Sequence, residues 1–215
     1  MGKINWLSRL SVITQAVKFV SHKAGTHNLP GFVFLLCILA VAVASCSSTF
    51  DEDASTLMPN SSQLDSRFKL ASDTTVSPLE GLYAKEKSAD DRTYQDTQDQ
   101  YHGIRFEVFV YPNQDNASVM YYIVEKLFKD SKDTPVTEDA QRGALSRADI
   151  STLLYAIDNG SNDIYVRVWL VFNKNNVLGI SYAGGTGSKD DTNGALSRYA
   201  NEAAKYAEII LEKMP

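Results

Sequence analysis

The sequence predicts an α+β fold in which an antiparallel sheet carries helices on one face, in the order β-α-β-β-β-α. Three observations predict it. Apolar and polar residues alternate over four segments after residue 100, a four-residue turn joins the last two of these segments, and two other segments repeat apolar residues at helical spacing. With 44% hydrophobic and 22% charged residues among 215, the composition is that of a globular protein. We divide the chain into residues 1–45, 46–100 and 101–215.

Residues 1–45 have the pattern of a cleaved export signal. They contain four basic residues and no acidic one, and an uncharged apolar run follows from Gly31 to Ser45. A run of this length is short for a membrane span, which needs about 20 residues. A basic region followed by a short apolar core and small residues is typical of a secretory signal peptide.

The tetrapeptide Val43-Ala44-Ser45-Cys46 resembles the lipobox of bacterial lipoproteins. The resemblance implies cleavage between Ser45 and Cys46, a diacylglycerol on the Cys46 thiol, and a fatty acid such as palmitate on the new amino terminus. Ser47, rather than Asp, follows the cysteine, which by the same resemblance favours the outer membrane, with the chain facing the periplasm. The alternative is a signal anchor that stays uncut.

Processing at Cys46 would change the inventory of reactive groups. The chain from residue 46 onward keeps 17 Lys+Arg and all 26 Asp+Glu, a formal charge of -9. Cys37 leaves with the signal and Cys46 carries lipid, so no disulfide or cysteine metal site is expected. A net acidic chain does not favour a nucleic-acid partner. His102 would be the one histidine left.

Residues 46–100 are polar and acidic, and we expect them to form a disordered, flexible tether. Eleven acidic and five basic residues lie in this segment, with few large apolar residues between them. Such a composition buries too little surface to offset the entropy of ordering.

The elements of residues 101–215 follow from periodicity. Alternation predicts strands over Ile104–Tyr111, Ile150–Ile157, Ile164–Phe172 and Val177–Ala183, with a hairpin turn at residues 173–176. A helix over about residues 116–129 is predicted by apolar residues at spacings of three and four, with Asp115 or Asn116 as its cap. A second apolar stripe predicts a terminal helix capped near Thr192 or Asn193. Between the last strand and the terminal helix, residues 184–189 are expected to form a flexible Gly-rich connection.

This element order is similar to that of the PsbP/Mog1/DcrB-type fold. The likeness covers roughly residues 100–215 and depends on one early helix, the hairpin IYVRVWLVFNKNNVLGISYA and a final apolar-striped helix. It implies accessory and binding roles in membrane-associated machinery, and it carries no catalytic residues.

Motifs for catalysis and for cofactors are incomplete. Gly184-Gly185-Thr186-Gly187-Ser188-Lys189 lacks the spacing of a phosphate-binding loop, and two aspartates follow it. The Asp- and Asn-rich turns lack the glutamate that a calcium loop needs. No cofactor, metal site or catalytic residue is predicted.

One face of the sheet is the candidate binding site. If the even-numbered residues of the strand Ile164–Phe172 point to the helices, its odd-numbered residues point to the opposite face of the sheet. The odd-numbered residues of the strand Ile104–Tyr111 lie on that same face. Aromatic side chains with Arg suit recognition of another molecule. The candidate binding face consists of Arg105, Glu107, Phe109, Tyr111, Tyr165, Arg167 and Trp169. A half-solvated sheet face without a partner, or one covered by residues 76–95, would show the same pattern.

The sequence therefore predicts a lipid-anchored envelope protein that acts as a non-catalytic binding or accessory subunit of an envelope system. The expected partners are the membrane, through the lipid, and an envelope protein, peptide or glycan. One alternative is a small-ligand carrier with a pocket between the sheet and the helix at 116–129. Another is a hydrolase, which would require His102 beside a serine and an acid.

Overall fold

A computed structural model describes residues 49–74, 85–132 and 135–215. All of them belong to a compact unit that extends from Ser47 to Pro215. The predicted signal peptide, the cleavage site at Ser45 and Cys46, and the lipidated Cys46 itself lie outside the described residues. No helix of the described part is long and apolar enough to cross a membrane.

The described residues form seven strands, three α-helices and one short 3-10 turn. In chain order they are α1 (Ala54–Leu57), β1 (Phe68–Thr74), β2 (Ser88–Asp96), β3 (Gly103–Val110), α2 (Gln114–Lys129), β4 (Thr137–Glu138), β5 (Ile150–Asn159), β6 (Asp163–Lys174), β7 (Val177–Ser188), the 3-10 turn Lys189–Asp191 and α3 (Thr192–Glu212). The strands pair in the order β1-β2-β3-β7-β6-β5-β4, and every neighbouring pair is antiparallel. The predicted α+β class with an antiparallel sheet is confirmed.

One face of the sheet packs against α3 and the N-terminal segment. The even-numbered residues of β3 and β6 point into this core, where Phe106, Val108 and Leu170 are fully buried. Helix α3 lies on β6 and β7, and α1 lies on β2 and β3. The Ser181 hydroxyl donates a 2.8 Å hydrogen bond to the Ala203 carbonyl of α3, which satisfies a polar group inside the core.

The opposite face packs against α2. Its core includes Phe109, Val171 and Leu178 from the sheet and Met120 and Tyr121 from the helix. Because consecutive strand residues point to opposite faces, these positions alternate with those that meet α3. The two long helices therefore lie on opposite faces of the sheet. The expectation that both lie on one face is wrong.

The predicted tether over residues 46–100 is wrong for residues 49–74 and 85–100. Phe50, Leu57 and Met58 are nearly inaccessible and belong to the same core as Phe106. β1 and β2 extend the sheet by two strands at the edge of β3. β1 is the edge strand and buries only Phe68, and β2 buries Asp90, Tyr94 and Asp96 between its two neighbours, so most of the apolar burial of this segment lies in residues 50–68.

The Gly-rich stretch after Ala183 is strand, and the expected flexible connection is wrong. β7 continues to Ser188, paired with β6 along its whole length. A β-carbon on Gly185 would collide with the Tyr199 hydroxyl, and one on Gly187 would collide with Ala195. The glycines therefore let α3 approach the end of β7 closely.

The helix caps differ slightly from the predicted ones. Asn113 caps α2 by accepting a 2.9 Å hydrogen bond from the Asn116 amide. Asp191 caps α3 by accepting a 3.0 Å bond from the Gly194 amide. Both caps lie one to three residues before the predicted positions, and each satisfies an amide that the first helical turn leaves unpaired.

Candidate binding face

The strand register brings the predicted residues onto one face, as their parity indicated. Arg105 of β3 lies opposite Tyr182 of β7, which lies opposite Trp169 of β6. Arg167 and Tyr165 follow at alternate positions along β6. All of these side chains are on the face that carries α2.

Helix α2 covers only part of this face. Phe109 is 1% exposed and Tyr111 is fully buried, both in the core beneath α2. Two of the seven candidate residues are therefore core residues. Beyond Phe128, near the C-terminal end of α2, the face continues with polar and aromatic side chains that are half-buried, apart from the exposed Asp158. We call this part the open half, and it consists of Asp91, Arg105, Glu107, Asp158, Tyr165, Arg167, Trp169 and Tyr182.

Arg105 is held by two acidic side chains. Its Nε and Nη2 atoms donate to the two Asp91 carboxylate oxygens at 2.9 and 2.6 Å, and its Nε lies 3.4 Å from Glu107. The hydrogen bonds to Asp91 raise the pKa of Arg105, and the bidentate geometry fixes the plane of the guanidinium. Its side chain is still 41% exposed. Arg105 thus presents a fixed, accessible cation.

Glu107 is the most enclosed acid of the open half. Its side chain is 13% exposed. Burial raises the pKa of Glu107, while the neighbouring Arg105 partly opposes this shift and Asp91 adds to it. Asp91 and Glu107 therefore both lie beside the single guanidinium of Arg105.

Aromatic rings continue across β6 and β7 from the end of α2. The rings of Phe128 and Trp169 are 5.4 Å apart, and those of Trp169 and Tyr182 are 5.6 Å apart. The Tyr182 hydroxyl lies 3.3 Å from the hydroxyl of Tyr165. Burial, followed by the contact with Tyr165, raises the pKa of Tyr182, which stays a neutral phenol.

Arg167 lies over the aromatic row. Its guanidinium carbon is 5.6 Å from the centre of the Trp169 ring, and its Nη2 donates a 2.7 Å hydrogen bond to Asp158. A cation stacked on an indole and paired with a carboxylate is oriented before any partner arrives. The open half therefore combines two oriented guanidinium groups with a row of aromatic rings.

Gly184 provides the space for Tyr182. A β-carbon at position 184 would overlap the Tyr182 hydroxyl and contact the Val166 carbonyl. The phenol ring of Tyr182 therefore lies along its own strand, over Gly184, and does not stand upright from the sheet. The glycine keeps the open half shallow.

The space between the sheet and α2 is filled by side chains. Tyr111, Met120 and Tyr121 are fully buried there, and the Tyr121 and Thr152 hydroxyls are 2.5 Å apart. The pocket that a small-ligand carrier would need at residues 116–129 is therefore occupied by the protein's own core. A cavity of about 210 Å³ lies elsewhere, lined by Gly187, Ser188, Asp191, Gly194, Ala195 and Arg198.

His102 lies between two carboxylates. Its Nδ1 is 2.9 Å from Asp96 and its Nε2 is 2.6 Å from Glu202 of α3. Both ring nitrogens are thus hydrogen-bonded to carboxylates. The hydrolase alternative needs one ring nitrogen to accept the proton of a serine hydroxyl, and here neither nitrogen is available for that contact. Across the described ranges, no group of three His, Cys, Asp or Glu side chains is placed to hold a metal ion.

Three members of the open half were not among the sequence-predicted residues. Asp91 belonged to the supposed tether, and Asp158 to a turn. The predicted four-residue turn at 173–176 is wrong: β6 continues to Lys174, which pairs with Val177, and residues 175–176 alone form the turn. The predicted turn would have placed Trp169 opposite Ile180, whereas the two-residue turn places it opposite Tyr182.

Comparison with known proteins gives little further information. No protein-family model matches the chain, and no curated protein matches it. Among solved structures, the extracellular domain of PknH from Mycobacterium tuberculosis is similar, with 16% identical residues and a TM-score of 0.36. The likeness covers 71% of this chain and 95% of that domain. A likeness this weak transfers no function to the chain.

Proposed function

We propose that the chain is a lipid-anchored envelope lipoprotein that binds a partner protein or peptide through the open half, as a non-catalytic subunit of an envelope system. The anchor is Cys46, after cleavage at Ser45, and the location is the periplasmic side of the outer membrane. The observation that carries the proposed binding role is the pair of oriented guanidinium groups, Arg105 and Arg167, beside the exposed parts of Trp169 and Tyr182.

The chemistry of the open half favours a protein partner. Trp, Tyr and Arg contribute most to the binding energy of protein interfaces, because they bring large contact area and directed hydrogen bonds at low entropic cost. Each guanidinium is already held by a carboxylate, Asp91 or Asp158. These two side chains therefore lose little conformational entropy when a partner binds, and the entropic cost of association is small.

The binding role is tested by placing a photo-crosslinking amino acid at Tyr165 in intact cells and identifying the product. For the partner so found, we expect Trp169→Ala and Arg167→Ala each to weaken binding by about tenfold or more. Tyr122→Ala is the matched control, because Tyr122 is 56% exposed on the outer surface of α2. Equal affinities for all three variants would contradict the proposal. A crosslinked product whose extra mass is removed by glycosidase, and which contains no peptides of a second protein, would indicate a glycan partner instead.

The anchor is tested by the intact mass of the protein purified from membranes, beside a Cys46→Ala variant. We expect a triacylated species that begins at Cys46 and is absent from the variant. An unmodified chain that retains residues 1–45 would show that the lipoprotein assignment is wrong. The protein in the membrane would then also contain Cys37, His22 and His27.

A further inference from the structure

Phe50 is fixed to the end of the sheet where β6 turns into β7. Its backbone amide donates a 2.6 Å hydrogen bond to the Asn176 side-chain oxygen, and the Asn176 amide group donates to the Phe50 carbonyl at 2.9 Å. The same amide group donates to the Tyr111 carbonyl at 2.8 Å. Asn176 is fully buried and Phe50 is 6% exposed. Phe50 is therefore the first described residue that belongs to the core.

Very little chain separates this fixed point from the proposed lipid. Phe50 is four residues after Cys46, and four residues span at most about 14 Å even when fully extended. The 12 residues of β7 extend over about 40 Å. The lipid must therefore lie close to one end of the sheet and far from the other.

The open half extends from the middle of the sheet to the far end, since Glu107 lies opposite Ile180 and Tyr165 lies opposite Thr186. Tyr182 is six residues along β7 from Asn176, which corresponds to about 20 Å. Tyr165 lies opposite Thr186, ten residues from Asn176 and about 33 Å along the strand. The end near the lipid carries the exposed Pro112 and the half-buried Lys174 and Asn175.

We infer that the end of the sheet at the β6–β7 turn stands on the bilayer surface that holds the lipid, with the open half directed away from the membrane. The inference depends on the proposed function, because it requires lipid at Cys46. The charge of -9 from residue 46 onward disfavours laying the sheet flat on an anionic surface. Binding partners of the open half then approach from the aqueous compartment, not from the membrane.

The orientation is tested with fluorophores on single cysteines. The chain has no cysteine besides Cys37 and Cys46, so Pro112→Cys and Ser161→Cys each give a unique thiol. Pro112 is exposed near the β6–β7 turn, and Ser161 is exposed in the turn before β6. The lipidated variants are placed in phosphatidylethanolamine–phosphatidylglycerol vesicles that contain a lipid with a quenching headgroup. We expect the label at 112 to lose most of its emission and the label at 161 to keep it.

Two controls separate the possible failures. A long Gly/Ser linker inserted between Ser48 and Thr49 is expected to abolish the difference between the labels, because the end of the sheet is then free to leave the surface. Equal quenching without the linker, stronger quenching at 161, or a difference that persists with the linker would overturn the orientation. The intact mass of each sample is measured in parallel. Absence of lipid would overturn the proposed function, and the orientation with it, whereas lipid with equal quenching would overturn the orientation alone.

Discussion

Asp96 illustrates how a single buried carboxylate is kept ionised in this fold. The residue is 3% exposed, and burial by itself would raise its pKa. The Gln98 amide at 2.8 Å, the His102 ring at 2.9 Å and Arg67 at 3.3 Å outweigh the effect of burial and lower the pKa of Asp96. The cluster links β2, the residue before β3 and, through Glu202, helix α3.

The lowered pKa makes a prediction for acid stability. Because the pKa of Asp96 is lower in the folded chain than the value of about 3.9 in an unfolded one, the ionised group stabilises the fold above that pH. This contribution is lost as the pH falls through the folded-state value. We expect Asp96→Asn to lower the free energy of unfolding by about 3 kcal/mol at pH 7 and to flatten its decline below about pH 4. Urea unfolding at several pH values measures both effects.

The exposed Asp163→Asn is the control for Asp96→Asn, since Asp163 lies on the surface at the start of β6. We expect it to change the free energy of unfolding by no more than about 0.5 kcal/mol at any pH. An Asp96→Asn variant with the same pH slope as the unsubstituted chain would contradict the role given to Asp96.

At the scale of single elements, β7 depends on glycine in its interior. Gly179 lies opposite Val108 and Phe172, and the Phe172 ring occupies the space where a β-carbon would be. Strand propensity alone predicts that alanine at this position would stabilise the sheet. The packing of Phe172 predicts the reverse.

We expect Gly179→Ala to lower the free energy of unfolding by about 2 kcal/mol, because the added methyl group must displace a buried ring. Phe172→Leu removes part of that ring and should reduce the cost of the alanine by about 1 kcal/mol in the double variant. Thermal or urea unfolding of the two single variants and the double variant measures the coupling. Strictly additive effects would show that the two residues do not compete for the space.

The spacing of apolar residues predicted the strands and helices that contribute several apolar side chains to a core. It missed the elements that contribute few. β3, β5, β6, β7, α2 and α3 all carry apolar residues at regular spacing, because each contributes to a core. β1 buries one residue, Phe68, and β2 places charged residues such as Asp91 and Arg92 in ion pairs. No hydrophobic pattern marks such strands, and their composition is that of a loop.

The candidate binding face was predictable in part. Strand parity placed Arg105 and Arg167 on one side of the sheet, which the register confirms. Parity does not show how far a helix extends over a face, so the burial of Phe109 and Tyr111 under α2 could not be predicted. Asp91 and Asp158, which accept hydrogen bonds from the two arginines, lie in segments predicted as tether and turn.

At the scale of the whole molecule, residues 49–68 are part of the core and not an appendage. Phe50, Ala54, Leu57, Met58, Leu64 and Phe68 are all buried in the core that α3 covers. The Lys213 side chain donates a hydrogen bond to the Met58 carbonyl, so the residue that directly follows α3 contacts the segment 49–68. The two ends of the unit stabilise each other.

Truncation provides the corresponding prediction. A chain that begins at Ser47 should fold, whereas one that begins at Lys69 should lose more than about 5 kcal/mol of folding free energy, because six buried apolar side chains are removed. That loss is comparable to the total stability of a typical protein. Circular dichroism and amide NMR dispersion distinguish the two chains. A well-folded chain beginning at Lys69 would contradict the assignment of residues 49–68 to the core.

The hydrogen bonds between Phe50 and Asn176 join positions 126 residues apart, and this separation constrains how the protein is made. A ribosome or an export channel delivers Phe50 long before the β6–β7 turn that receives it. Until that turn and α3 arrive, the apolar side chains of residues 50–68 have only β1, β2 and β3 to pack against, and long-range contacts of this kind form slowly. The newly made chain therefore passes through a stage in which the apolar side chains of residues 50–68 are exposed to solvent. A holding chaperone would bind the chain at these residues.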